Sequence, residues 1–140
     1  GPGTKPRDMR VLNSFIERGL TGKIEMMDRG EAKRTYCYVS DAVEIMWKIL
    51  LYGKERVYNV GGFSTTTIAS LAKKIGGGLN SEVVMPKNNM KMTGAPDDVR
   101  LDMSKTAKEF KKKKKHFIPL ETGLRKTVEW QKELYKNKLK

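Results

Sequence analysis

The amino-acid sequence predicts an α/β fold that carries only part of a parallel sheet. Apolar stripes at helical spacing alternate with short extended runs, in the order helix, strand, strand, helix, strand, helix, strand, short helix, long helix. The extended runs are too few for a complete doubly wound sheet. The segment from Asp41 to Tyr52 is apolar on nearly every face, and such a helix must be covered on two sides.

Taken in order, residues 1–6 form a loop by composition, with two prolines and two glycines. Asp8 suits an N-cap, and Val11, Leu12, Phe15, Ile16 and Leu20 keep the stripe of an amphipathic helix ending near Gly22. Residues 24–27 predict a short strand. After a polar turn, residues 34–39 alternate around Tyr36 and Tyr38 as a second strand. Asp41 and Glu44 have capping-box spacing ahead of the apolar helix, which Gly53 ends. Residues 57–60 predict a buried strand running into Gly61 and Gly62. Thr65 or Thr66 caps a further helix with the stripe Ile68, Leu71, Ala72 and Ile75, terminated by Gly76, Gly77 and Gly78. A strand over 82–85 stops at Pro86, and residues 86–98 predict a long functional loop. A brief extended stretch over 99–102, a short helix over 104–110 and a long helix opened by Pro119 complete the chain.

A length of 140 residues suits a single unit, 1–140, and a domain of that size buries roughly 68 to 70 % of its unfolded surface. The longest unbroken apolar run is Ile49 to Tyr52, so no membrane span is predicted and a cytoplasmic location is expected. Cys37 is the only cysteine and His116 the only histidine. An internal disulfide, a cysteine-cluster zinc site and a histidine-pair metal site are all excluded within the chain, and no metal site is expected. Cys37 reads as a small buried side chain on a strand, with no histidine near it in sequence to act as a base.

The net charge of +13 raises nucleic acid as a partner, but the excess is C-terminal. Residues 104–140 hold 13 Lys and Arg against 4 Glu, while residues 1–103 hold 16 against 12 acidic residues. The run Lys111 to Lys115 has no aromatic residue interleaved, so it reads as a solvated loop rather than a nucleic-acid platform.

No glycine-rich phosphate loop lies between a strand and a helix, and no tyrosine stands four residues ahead of a lysine. Neither a cofactor-binding loop nor a set of catalytic residues is predicted in this chain. Arg34, at the start of an alternating strand, suits the rim of a sheet, where a guanidinium can meet an anion through a planar fork of donors.

Five motifs carry a family resemblance. They are Gly1-Pro-Gly, Arg10-Val-Leu-Asn-Ser-Phe-Ile, Gly30-x-x-x-Arg34-x-x-x-Tyr38-Val-x-Asp41, Tyr58-Asn-Val-Gly-Gly and Pro119-Leu-x-x-Gly-Leu-x-x-Thr-x-x-Trp130. In this order they resemble the extended short-chain dehydrogenase/reductases, most closely the NAD-dependent nucleotide-sugar epimerases, dehydratases and UDP-glucuronate decarboxylases. Only the second half of that family's pattern is matched, beginning inside its Tyr-Gly-Pro-Gly loop. The resemblance implies a C-terminal, substrate-binding portion of a Rossmann-like enzyme that lacks most of the parallel sheet, with NAD and the catalytic Tyr-x-x-x-Lys belonging to the first half. It assigns Arg34, Arg10 and Arg100 to the phosphates of a UDP- or dTDP-sugar, expected to bind weakly. It also explains the apolar helix 41–52, which in such enzymes packs on the Rossmann sheet. The chain alone is expected to be inactive. Two other readings come from different classes: a basic module that binds nucleic acid through its C-terminal lysines, and an interaction domain that self-associates through helix 41–52.

Overall fold

The computed structural model describes residues 1–5, 7–87 and 96–136. Its elements are α1 (Val11–Leu20), β1 (Lys23–Glu25), β2 (Lys33–Tyr36), α2 (Val39–Tyr52), β3 (Ser64–Thr67), α3 (Ile68–Leu79), β4 (Glu82–Val84), α4 (Ser104–Glu109) and α5 (Leu120–Lys136). A single 3-10 turn, Lys114–His116, precedes α5.

Four of these elements make the core. Ile24 of β1 shares one buried cluster with Phe15 and Ile16 of α1, with Leu71, Ala72 and Ile75 of α3, and with Leu124 and Val128 of α5. The i, i+3/i+4 stripes of α1 and α3 therefore face the strand, and that of α5 packs on those two helices. β1 pairs in parallel with β4, Lys23 opposite Glu82 and Glu25 opposite Val84, and α3 makes the crossover between them. A second pair, β2 with β3, is antiparallel, with Lys33 opposite Thr67 and Tyr36 opposite Ser64. An isolated parallel bridge from Lys33 to Asp98 lays a third extended segment along the other edge of β2.

Several expectations need correction. Asp41 does not cap α2. The helix begins at Val39 with Tyr38 as N-cap, and Asp41 lies buried in the first turn, where its Oδ2 accepts the Ile118 backbone N–H at 2.8 Å. Residues 57–60 form no strand, and the polar groups of Asn59 bond instead to Asp102 and to Thr106 of α4. Asn59 Nδ2 donates to the Asp102 carbonyl and the Thr106 hydroxyl donates to the Asn59 carbonyl, both at 2.8 Å. Strand β3 was absent from the sequence reading, which placed a helix cap at Thr65 or Thr66. The cap is Thr67, whose Oγ1 accepts the Ser70 N–H at 3.1 Å. The triple glycine does not end α3 either. The helix runs through it to Leu79 and closes on Asn80 in the left-handed region, with φ of 53°. Of the expected loop over 86–98, residues 88–95 lie outside the described residues.

Two glycines test this packing with opposite signs. Gly30 has φ of +65°, and a Cβ there would sit 2.5 Å from the Ala69 backbone nitrogen. Gly77 is a helical position with nothing within 4 Å of an added Cβ. Gly77→Ala is therefore expected to stabilise the fold by about 0.5 to 1 kcal/mol, through the helix propensity gained. Gly30→Ala is expected to cost on the order of 1 to 3 kcal/mol, because the left-handed backbone and the clash with α3 act together. Urea unfolding of the two variants checks both signs.

Candidate functional site

The β2–β3 hairpin positions the residues that the sequence singled out. Side chains alternate along a strand, so Lys33 and Thr35 share one face while Arg34 and Tyr36 share the other. Tyr36 packs against the core. Arg34, on the same face, is partly exposed, and its Nη1 donates to the Lys33 carbonyl at 2.7 Å.

A shallow cleft beside the hairpin is lined by Lys33, Thr65, Thr66, Thr67, Ser70 and Arg100. Arg100 reaches it because the Lys33–Asp98 bridge sets the register of the third segment, which puts Asp98 and Arg100 on the Lys33 side. The Lys33 N–H donates to the Asp97 carbonyl at 2.8 Å and the Val99 N–H to the Lys33 carbonyl at 3.3 Å, which fixes that segment. Asp98 holds Arg100 through Nη2 at 2.9 Å and Nε at 3.0 Å, and this pairing keeps the guanidinium above its ordinary value.

The three arginines singled out by sequence therefore occupy three places. Arg34 and Arg100 project from opposite faces of β2. Arg10 stands at the N-cap of α1 in an ion pair with Asp8, and it is 80 % exposed. That pairing lowers the Asp8 carboxyl to about 2. Sequence reasoning missed Lys33 and the hydroxyls of Thr65, Thr67 and Ser70. Lys33 was visible beside Arg34, but its face depended on the bridge to Asp98, which no local pattern encodes.

A second constellation holds α2 to the chain that follows α4. Lys112 lies inside the lysine run, yet its side chain is only 6 % exposed and its Nζ pairs with Glu44 Oε2 at 2.6 Å. The ammonium also stands over the Phe117 ring, 5.4 Å from its centroid. The expectation of a fully solvated lysine loop thus fails at Lys112. Glu44 is held below its ordinary value, first by the hydrogen bond from Lys112 and then by that from Lys48.

Cys37 is half-buried, and burial, followed by the Asp41 charge, pushes its thiol up to about 11. A thiol held there is almost wholly protonated near neutrality and is a poor nucleophile. Among the described residues no cluster of three or more His, Cys, Asp or Glu could hold a metal ion. Among the described residues no helix is long and apolar enough to cross a membrane.

Beyond these contacts, α2 presents an uncovered apolar face. Only Asp41 and Ile45 of α2 are buried. Met46 and Trp47 are each 58 % exposed, Leu50 72 % and Leu51 61 %.

A parallel β1–α3–β4 crossover, an antiparallel hairpin beside it and an unpaired apolar helix together define a partial Rossmann-like architecture, and solved structures share it. The UDP-glucose 4-epimerase of Thermotoga maritima, solved with UDP-glucose, superposes with a TM-score of 0.79 at 27 % identity, over 96 % of this chain and 43 % of the epimerase. The class is that of the extended short-chain dehydrogenase/reductases. Residues 1–61 match the NAD dependent epimerase/dehydratase family. UDP-glucuronic acid decarboxylase 6 of Arabidopsis thaliana is 30 % identical over 102 residues, which are 71 % of this chain and 28 % of the decarboxylase. The dTDP-4-dehydro-6-deoxy-D-allose reductase of Streptomyces bikiniensis is 28 % identical over 133 residues, 93 % of this chain and 39 % of the reductase. The chain is thus similar to the NAD-dependent epimerase/dehydratase family, and it spans between about a quarter and two fifths of the length of these curated relatives.

The Lys112 clasp predicts an asymmetry. Glu44→Gln leaves a buried ammonium without its carboxylate and is expected to cost on the order of 2 kcal/mol, less than a fully buried pair because Glu44 is itself half exposed. Lys112→Met keeps the buried stem and leaves Glu44 with Lys48, so its cost is expected to stay below about 1 kcal/mol. Because Glu44 is depressed in the fold, its contribution is present above the ordinary carboxylate value of 4.5 and is lost as pH falls through the folded value. Urea midpoints measured from neutrality down to acid should therefore converge for wild type and Glu44→Gln. Cys37 is expected to react with a thiol-specific dye at pH about 8 at least tenfold more slowly than a free cysteine peptide, read from the absorbance of the released chromophore.

Proposed function

We propose that this chain, acting as one unit over residues 1–140, forms the nucleotide-sugar side of an NAD-dependent epimerase, dehydratase or decarboxylase, with NAD and the catalytic residues carried outside it. The observation that carries this reading is the similarity to UDP-glucuronic acid decarboxylase 6 over 71 % of the chain. The epimerase solved with UDP-glucose supports it, as the likeness there extends over 96 % of this chain. In this reading Arg34, Arg10 and Arg100 meet the diphosphate of a UDP- or dTDP-sugar. Each contact is charge-assisted and worth about 1.5 to 3 kcal/mol when fully formed. Arg10 and Arg100 must first leave Asp8 and Asp98, which keeps the affinity of the isolated chain low, roughly millimolar.

The exposed face of α2 supports the same reading from the packing side. Burial of apolar surface stabilises by about 25 cal/mol per Å², so Trp47, Leu50 and Leu51 represent an unused contact surface. Within this reading their cover is the NAD-binding part of the enzyme. A second reading, self-association through α2, rests on the same exposure.

Three outcomes are expected of the 140-residue chain. It should turn over no UDP-sugar in the presence of NAD. Calorimetry should detect weak heat with UDP-glucose or UDP-glucuronate that Arg34→Ala reduces by about fivefold or more. Light scattering should report a species larger than a monomer, and Trp47→Glu with Leu50→Glu should return it to a monomer. The absence of heat with every UDP- and dTDP-sugar would remove the binding reading, whereas a monomer in wild type would remove only self-association.

A further inference from the structure

We infer that residues 102–118 act as a latch on α2, and that α2, the chain that follows it and this latch release together from a core that stays folded. Topology makes such a release possible. Tyr36 stands opposite Ser64 in the β2–β3 pairing, so residues 37–63 leave the hairpin and return to it at one place. That excursion contains α2 and is closed at its base by the hydrogen bonds of the hairpin. Its release breaks none of them. Among the described residues, none of 37–63 or 99–118 belongs to the apolar cluster built by α1, β1, α3 and α5. Ile45 and Met103 are nevertheless buried, at 0 % and 2 % exposure, so a second and smaller interior lies outside that core.

The latch holds the excursion at both ends of α2. In the first turns of the helix, Asp41 Oδ2 accepts the Ile118 N–H at 2.8 Å, and Glu44 Oε2 meets the buried ammonium of Lys112 at 2.6 Å. Past its end, Glu109 Oε1 accepts the Tyr58 hydroxyl at 2.7 Å and the Lys54 N–H at 3.0 Å. Phe110 lies against Tyr58 with ring centroids 5.7 Å apart, and Phe117 meets Phe63 edge-on at 5.1 Å. Among the described residues, no hydrogen bond or ion pair runs from the excursion to α1, β1 or α3. Toward α5 it offers Tyr38, at its base, with the Lys126 ammonium 5.9 Å from the ring centroid. The ties depend on one another, because Glu109, Lys112 and Ile118 sit on one short stretch and lose their partners together. Segments joined to a core by so few contacts open as a unit, below the free energy of global unfolding. Release carries Trp47, Leu50 and Leu51 away with α2, so the open apolar face exists as a surface only while the latch is closed.

The test is native-state hydrogen exchange on the whole 140-residue chain, read by mass spectrometry in dilute solution so that self-association through α2 adds no protection. Peptides 39–52 and 110–118 are expected to share one opening free energy, below that of peptide 68–79 in α3. Ile75, in the core, supplies the discriminating variant. The released state keeps that core, so Ile75→Val weakens the closed and released states alike. It should quicken exchange in 68–79 by about twofold to tenfold and leave 39–52 and 110–118 unchanged. Glu44→Gln and Tyr58→Phe, by contrast, weaken only the closed state. Each should quicken all three peptides by one common factor, about tenfold for Glu44→Gln and about threefold for Tyr58→Phe. Circular dichroism spectra confirm that each variant is folded. Ile75→Val quickening all three peptides alike would overturn the inference, because the chain would then open as one unit. So would different opening free energies for 39–52 and 110–118, or indifference of both peptides to Glu44→Gln and Tyr58→Phe.

Discussion

Helix α2 carries more apolar surface than this chain can cover, and much of the rest of the structure follows from that constraint. One side is met from within. Ile45 is fully buried, Asp41 ties the first turn to the Ile118 backbone, and Glu44 draws Lys112 out of solvent. The other side, from Val43 to Tyr52, stays open. Large exposed apolar patches of this kind mark contact surfaces in proteins. In members of this family that are two to three times longer, the remaining length is available to make such contacts.

Residues 57–60 follow α2 without entering a strand, and Asn59 bonds to Asp102 and to Thr106 of α4. Tyr58 supports this arrangement. Its hydroxyl donates to Glu109 Oε1 at 2.7 Å and accepts the backbone N–H groups of Lys54 and Glu55. Burial, then the Glu109 contact, raises the phenol above its ordinary value. The turn after α2 is thereby fixed, and with it the entry into β3.

Beside this half-covered layer stands a self-sufficient one. α1, β1, α3 and α5 bury a continuous set of apolar side chains with no need of a partner. The β2–β3 hairpin joins the two layers, since Tyr36 belongs to the core while Lys33 and Thr35 look away from it. Placing the cations on that junction gives them a rigid backbone and an exposed approach.

Much of this was legible in the sequence. The stripes of α1, α3 and α5, the two strands of the parallel pair, the partial nature of the sheet and the family all follow from local periodicity and motif order, which depend on residues close together along the chain. What the sequence left open was every feature set by contacts between distant segments. Asp41 has the spacing of a cap, yet its partner is Ile118, 77 residues away. Lys112 reads as one of five solvated lysines, yet Glu44 and Phe117 enclose it. Gly76, Gly77 and Gly78 read as a helix end, yet α3 continues to Leu79, with Gly76 packed closely on Val83 and Ser81. The pairing of Lys33 with Arg100 exists only because Asp98 bridges β2 across 65 residues. The amino-acid sequence by itself determined which segments are helices and which family's motifs the chain carries, because those are properties of short-range pattern. The tertiary structure alone decided which charges are buried and which cations share a face, because burial and register are set where segments meet.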